Sequence, residues 1–231
     1  MFKKLLLTSA LFIGLSAGAN AGIITQSSDV SYTDTDFSGV TLSFDQFDDL
    51  GGTRVLDSIE FTLFGELLST ARVENLSSSS ASLITMTIRA LLSLTTITGD
   101  SLVSTLPSLE RTFDADVFDG VIDFDETSGR TFEDLYTSNT NSNIITDSTI
   151  MSLFLGTGNI NTFLSGLADT STTGGGNILS GFETDARGYV DVVYNYSEVP
   201  TTEVSEPHNA ALLGLGLAGM FFARRKNKKS A

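Results

Sequence analysis

The stretch that decides the fold is Tyr189-Val190-Asp191-Val192-Val193-Tyr194-Asn195-Tyr196. Val190, Val192, Tyr194 and Tyr196 fall on one side and Tyr189, Asp191, Val193 and Asn195 on the other, the period of two that turns one face of a strand to a core and the other to water. The same pattern recurs upstream. Val40, Leu42 and Phe44 alternate with Thr41, Ser43 and Asp45; Ile59, Phe61 and Leu63 alternate with Ser58, Glu60 and Thr62. Ile84, Met86, Ile88, Ala90, Leu92 and Leu94 do so over eleven residues. Between these runs stand turn signals: Leu50-Gly51-Gly52, Phe64-Gly65-Glu66, Ser77 to Ser80, Thr98-Gly99-Asp100, Asp119-Gly120, Thr173 to Asn177 and Ala186-Arg187-Gly188. Each offers glycine for a positive φ, or short polar side chains that bond the backbone locally. Only Asp147 to Leu155 reads as a helical turn, with Asp147 as N-cap and Gly156 ending it, or equally as a crossover segment. Many short strands broken by turns imply an all-β fold, an antiparallel β-sandwich in one domain.

Composition narrows the chemistry. Of 231 residues 41% are apolar, enough for a packed core. There is no cysteine or tryptophan, and the one histidine is His208. Disulfides, thiolate zinc sites, cysteine nucleophiles and a Ser/His/Asp triad inside the domain are thereby excluded. Thirteen basic against 28 acidic residues leave a net charge of minus 15, which argues against a nucleic-acid partner.

The two ends read as addresses. Lys3 and Lys4, the apolar run Leu5 to Leu15 and the small residues Ala19 and Ala21 have the order of a secretory signal peptide over 1–21, cut between Ala21 and Gly22. The expected partners are the Sec translocon and signal peptidase. At the other end, 208–231 holds the apolar run Ala210 to Ala223 and the basic residues Arg224, Arg225, Lys226, Lys228 and Lys229. Fourteen helical residues reach about 21 Å, short of a hydrocarbon core of about 30 Å. The basic cluster is a membrane stop signal that keeps its own end in the cytoplasm and the domain outside. Between domain and helix lies a polar linker, 198–207, ending in Ser205-Glu206-Pro207.

The order of motif, short Gly/Leu-rich helix and terminal basic cluster closely resembles the PEP-CTERM sorting signal that exosortases process in Gram-negative bacteria. Glu206-Pro207 matches the end of its signature, and Ser205 stands where the signature has its first proline. The resemblance implies a transient inner-membrane tether, removed near the motif on the way to the cell surface or extracellular matrix; the alternative, if Ser205 defeats processing, is a plain single-pass anchor.

The segment 22–197 also resembles a family. Ile24-Thr25-Gln26, Leu42 to Asp48, Ala71-Arg72-Val73-Glu74-Asn75, Phe118-Asp119-Gly120, Asp123-Phe124, Ser128-Gly129, Gly156-Thr157-Gly158 and Val192 to Tyr196 look like the choice-of-anchor E domain. That resemblance implies architecture and a surface-attachment context, with no catalytic residue.

Chemistry has few places to reside. Asp114, Asp116, Asp119, Asp123, Asp125 and Glu126 form the densest acidic run. They could supply a Ca²⁺ ion with some of its six to eight oxygens, although the register departs from an EF-hand loop. The other reading is a solvated loop, with Val117, Phe118, Ile122 and Phe124 packing inward. A glycoside hydrolase needs only two carboxylates, and no pair stands out among 27 acids between Gly22 and Val204. Tyr32, Tyr136, Tyr189, Tyr194 and Tyr196 could stack on sugars, Tyr194 and Tyr196 being read as core or rim residues of the last strand. Gly174-Gly175-Gly176 lacks the lysine of a phosphate loop. The exported segment would carry six arginines and no lysine against those 27 acids, a charge of minus 21. The expectation is a non-catalytic surface or matrix protein acting in exopolysaccharide, biofilm or adhesion. The alternative is a carbohydrate-binding module, possible with Ca²⁺, and behind it a carboxylate-dependent hydrolase.

Overall fold

A computed structural model describes residues 21–200. Among them are nine strands and one short helix: β1 (Ala21–Asp34), β2 (Phe37–Asp45), β3 (Arg54–Asn75), β4 (Ser82–Thr95), β5 (Ser101–Thr105), β6 (Ser108–Ala115), β7 (Gly129–Ile145), α1 (Ser148–Leu153), β8 (Asn159–Thr173) and β9 (Ile178–Glu198). They form two antiparallel sheets. The first, sheet A, has the order β1-β9-β3-β7. The second, sheet B, runs β2-β8-β4, and the far edge of β4 is shared by β5 and β6. The latter two are one strand interrupted at Leu106-Pro107, where proline has no N–H for the ladder.

The alternating residues face inward as the sequence predicts. Leu42, Phe44, Ile59, Phe61, Leu63, the six from Ile84 to Leu94, and Val190, Val192 and Tyr194 are all buried. They fill two adjoining clusters between the sheets. Each large side chain so buried contributes about 1.5–3 kcal/mol against full exposure. At one end of the larger cluster Phe47, Phe61, Phe154, Tyr194 and Tyr196 pack ring against ring, with centroids 5.4–6.5 Å apart. Helix α1 brings Phe154 into this cluster. Asp147 caps it as expected, accepting the N–H groups of Thr149 (2.9 Å) and Ile150 (3.0 Å).

Two of the expected turns are not turns. Gly65 lies in the middle of β3 and Gly188 in the middle of β9, where they are directly opposed cross-strand partners. A β-carbon on Gly65 would stand 2.6 Å from Leu92 Cδ1, and one on Gly188 2.5 Å from Leu164 Cδ2. Glycine serves close packing between the sheets at these positions, and the chain continues straight through.

Both outer edges of the sandwich are joined by side chains. On one, the Gln26 amide clamps the backbone of Asp45, donating to its carbonyl (2.9 Å) and accepting its N–H (2.7 Å). This ties β1 to β2. On the other, alternate residues of β7 donate to alternate carbonyls of β5, β6 and their junction. Thr137 reaches Ser108 O (3.1 Å), Asn139 Leu106 O (3.5 Å), Asn141 Ser104 O (2.8 Å) and Asn143 Leu102 O (2.7 Å). Edge groups that would otherwise invite strand addition are thus occupied.

The signal-peptide residue Ala19, the motif Ser205-Glu206-Pro207 and the basic residues Arg224, Arg225, Lys226, Lys228 and Lys229 lie outside the described residues. Ala21 and Gly22 open β1, paired with Ser197 and Tyr196. Among the described residues no helix is long and apolar enough to cross a membrane.

Candidate functional site

The acidic run falls at the end of β6 and in the loop that leads to β7. Asp114 pairs with Leu83 on β4; Asp116, Asp119, Asp123 and Asp125 follow, and all five are exposed. Their carboxylates serve the loop's own backbone. Asp119 accepts the N–H of Val121 (2.8 Å), Asp123 that of Asp125 (3.1 Å), and Asp125 that of Glu126 (2.9 Å). Among the described residues no three acids or histidines stand close enough together to hold a metal ion. Val117 and Ile122, expected to pack inward, are exposed, while Phe118 and Phe124 are half-buried.

Polar anchors hold this loop. The buried Glu74 carboxylate accepts the N–H of Phe124 (2.9 Å) and the hydroxyl of Ser128 (2.6 Å). Buried Asn75 donates to the carbonyls of Ser80 (2.8 Å) and Asp116 (2.7 Å) and accepts the N–H of Ser77 (3.0 Å). Gly129 leaves room for the Glu74 carboxylate, which would collide with any β-carbon there. Hence Glu74-Asn75 and Ser128-Gly129, over 50 residues apart in the chain, form one buried knot. Nothing in either short segment alone indicates that they meet.

A cleft of about 600 Å³ opens where the connection from β1 to β2 crosses between the sheets. Asp34, Asp36, Asp134, Glu183 and Asp185 line it, together with Leu68, Ser69, Phe182 and Thr170. Two of these acids are already engaged: Asp36 accepts the N–H of Ala168 (2.6 Å), and Glu183 pairs with Arg72 (3.1 Å). Asp34 and Asp185 face each other across β1 and β9. The hydrogen bond that the Asp185 carboxyl donates to Asp34, then burial and the Asp34 charge, raise the pKa of Asp185. Two carboxyls that share a hydrogen bond are closer than the roughly 5 Å of a retaining glycosidase pair. A pair at that separation does not flank a glycosidic bond.

The five tyrosines separate into two groups. Tyr194 is fully buried and Tyr196 half-buried, both in the aromatic cluster. Burial, and secondarily the Asp45 charge, push the Tyr194 phenol above its ordinary pKa while its hydroxyl donates to Asp45 O (2.8 Å). Tyr32, Tyr136 and Tyr189 occupy the outer face of sheet A, with 40%, 50% and 36% of their surface exposed. At the centre of that face stands Glu66 of β3. Tyr32 of β1 donates to its Oε2 (2.8 Å) and Tyr136 of β7 to its Oε1 (3.2 Å). Arg187 of β9, directly opposite Glu66, lies 3.8 Å from the same carboxylate and 3.8 Å from Asp29. Loss of hydration, followed by the bond to Glu66 and its charge, pushes the Tyr32 phenol up to about 12. Tyr189 pairs with Phe64 one row away. Four strands thus assemble one shelf of rings around an ion pair. The sequence marks these tyrosines as candidates, but only the sheet order brings three of them to one face.

No protein-family model and no curated protein matches the chain. Among solved structures it is similar to the VP2 subviral particle of infectious bursal disease virus, at 14% identity and a TM-score of 0.26, over 94% of this chain and 54% of that one. The T13 particle of the same virus gives 12% identity and a TM-score of 0.22, over 85% and 45%. The tailspike of Acinetobacter baumannii phage AM24 gives 9% and 0.18, over 79% and 27%. The chain spans about half the length of the capsid proteins or less, and nothing about its role is drawn from likeness at this level.

Proposed function

We propose that this chain is an exported, non-catalytic surface or matrix protein, sorted by a PEP-CTERM/exosortase system. The observation that carries the reading is the sequence order of signal peptide, β-domain, Ser205-Glu206-Pro207, short apolar run and basic cluster. The strand-paired framework over 22–198 supports it as the folded cargo that such signals would deliver. The Sec translocon, signal peptidase and exosortase would handle the precursor, and the product would reside at the surface or in the exopolysaccharide matrix of a Gram-negative cell. The test is to express the chain with and without its last 27 residues and to fractionate the cells. The full chain should reach the surface fraction in processed form, and the truncated one should be exported without being retained there. Cytoplasmic retention of both would overturn the proposal.

A second reading, carbohydrate binding, is favoured by the outward-facing tyrosine shelf. Its calcium-assisted form would draw on Asp114, Asp116, Asp119, Asp123 and Asp125. A ligand of the native state raises its stability, so thermal melts in millimolar Ca²⁺ and in EDTA should differ if that form holds, and coincident melts would remove it.

A further inference from the structure

We infer that the outer face of sheet A is a binding platform for a neutral glycan chain, laid across the strands over Tyr32, Glu66 and Tyr136 with Arg187 and Tyr189 beside it. This deepens the carbohydrate-binding reading by naming the face and the ligand class. It does not depend on how the protein is sorted.

Three observations carry it. The first is convergence: single exposed aromatics are ordinary on a protein surface, whereas here β1, β7 and β9 each deliver an exposed tyrosine to one face. Tyrosine offers a large contact area with few rotors, which is why binding surfaces are enriched in it. The second is that two of the rings are already fixed. Tyr32 and Tyr136 donate to the two oxygens of one carboxylate, and Arg187 faces that carboxylate from the neighbouring strand, so little side-chain freedom remains to be lost on binding. The third is the chemical pattern. Ring faces suit the apolar C–H faces of a pyranose, while Glu66 and Asp29 as acceptors and Arg187 as donor suit hydroxyls, which both give and take hydrogen bonds.

Size and charge narrow the ligand. The face spans three inter-strand gaps from β1 to β7, about 14 Å at roughly 4.8 Å each, which is more than one sugar ring requires. A chain of linked sugars fits it better than a monosaccharide. The charge of minus 21 on the exported segment repels uronate-rich or sulfated polymers and nucleic-acid backbones. A protein partner would favour an apolar centre, and the centre here is an ion pair.

The domain 22–200, which contains both cores and every strand pairing described except that of Ala21 with Ser197, is the protein to test. It is run through native gels cast with neutral polysaccharides (a mixed-linkage β-glucan, a galactomannan and a dextran) and with polygalacturonate and chitosan as charged counterparts. With no tryptophan present, tyrosine emission then reports titration with the corresponding neutral oligosaccharides. At least one neutral polymer should retard the domain. Tyr32→Ala and Tyr136→Ala should each weaken binding about tenfold, while Arg89→Ala on the outer face of sheet B leaves it unchanged. Nitration mapped by mass spectrometry gives a second readout on the unaltered domain: the oligosaccharide should slow modification of Tyr32, Tyr136 and Tyr189 several-fold. The proposal is overturned if no neutral gel retards the domain, if only the charged polymers do, or if binding persists with the three tyrosines neither protected nor required. Failure here leaves the sorting proposal intact, since fractionation tests that separately.

Discussion

Asp185 and Asp34 oppose each other across β9 and β1 in the acidic cleft, and the pKa of Asp185 is raised by the hydrogen bond it donates to Asp34, by burial and by the Asp34 charge. A raised pKa means that the folded state holds this proton more tightly than the unfolded chain does. The stabilisation is therefore complete below the unfolded value near 3.8 and is lost as pH rises through the folded value. Once pH has risen past the folded value, the Asp185 charge is a cost to the folded state, because it is partly buried beside another carboxyl. Asp185→Asn, neutral throughout, should accordingly raise the melting temperature at pH 7 and give no such gain at pH 3. Calorimetry at the two pH values checks this, and an equal gain at both would mean that shape rather than charge matters at the site. The sequence offers 27 equivalent carboxylates between Gly22 and Val204. The surroundings of Asp185, buried Glu74 and the shelf residue Glu66 are set by partners 50 or more residues away, which local spacing cannot display.

At the scale of the element, legibility depended on whether a strand has an apolar face. β4 and β9 alternate cleanly, and their predicted inward residues are buried, apart from half-buried Tyr196. β7 does not alternate in that sense. Thr137-Ser138-Asn139-Thr140-Asn141-Ser142-Asn143 is polar on both faces, because alternate side chains bond the carbonyls of the facing edge instead of entering a core. Hydropathy has no signal for such a strand. The ladder makes its own prediction. Each amide-to-carbonyl bond contributes about 1 kcal/mol, so Asn141→Ala with Asn143→Ala should lower stability by about 1–2 kcal/mol. Urea unfolding measures the loss, and amide exchange in Ser101–Thr105 should quicken because β5 loses its tie to β7. Unaltered exchange there would mean that the strand is held by β4 alone.

Across the whole molecule, the separation of the two sheets is set where Gly65 and Gly188 oppose each other at the centre of sheet A. Packed sheets stand about 10 Å apart, and a pair of glycines makes a hollow into which Leu92 and Leu164 of sheet B enter. Read along the sequence, these glycines look like turns, since nothing local distinguishes a glycine that bends the chain from one that admits a neighbour. The same alternation sets Glu66 and Arg187 on the opposite side of the same two strands, so the hollow and the tyrosine shelf are back to back. Gly65→Ala adds a β-carbon 2.6 Å from Leu92 Cδ1 and 2.7 Å from Thr105 Cγ2, and neither sheet can yield without disturbing the core. Overpacking of this kind costs about 1–3 kcal/mol. Gly181→Ala, also within β9 but with nothing inside 4 Å of the added carbon, is the control. It should be neutral or stabilise by about 0.4–1 kcal/mol, through the reduced freedom of the unfolded chain. Chemical denaturation of the two variants separates the effects: a loss at position 65 with none at 181 identifies contact between the sheets as the cause, whereas matching losses would assign the glycines to backbone conformation instead.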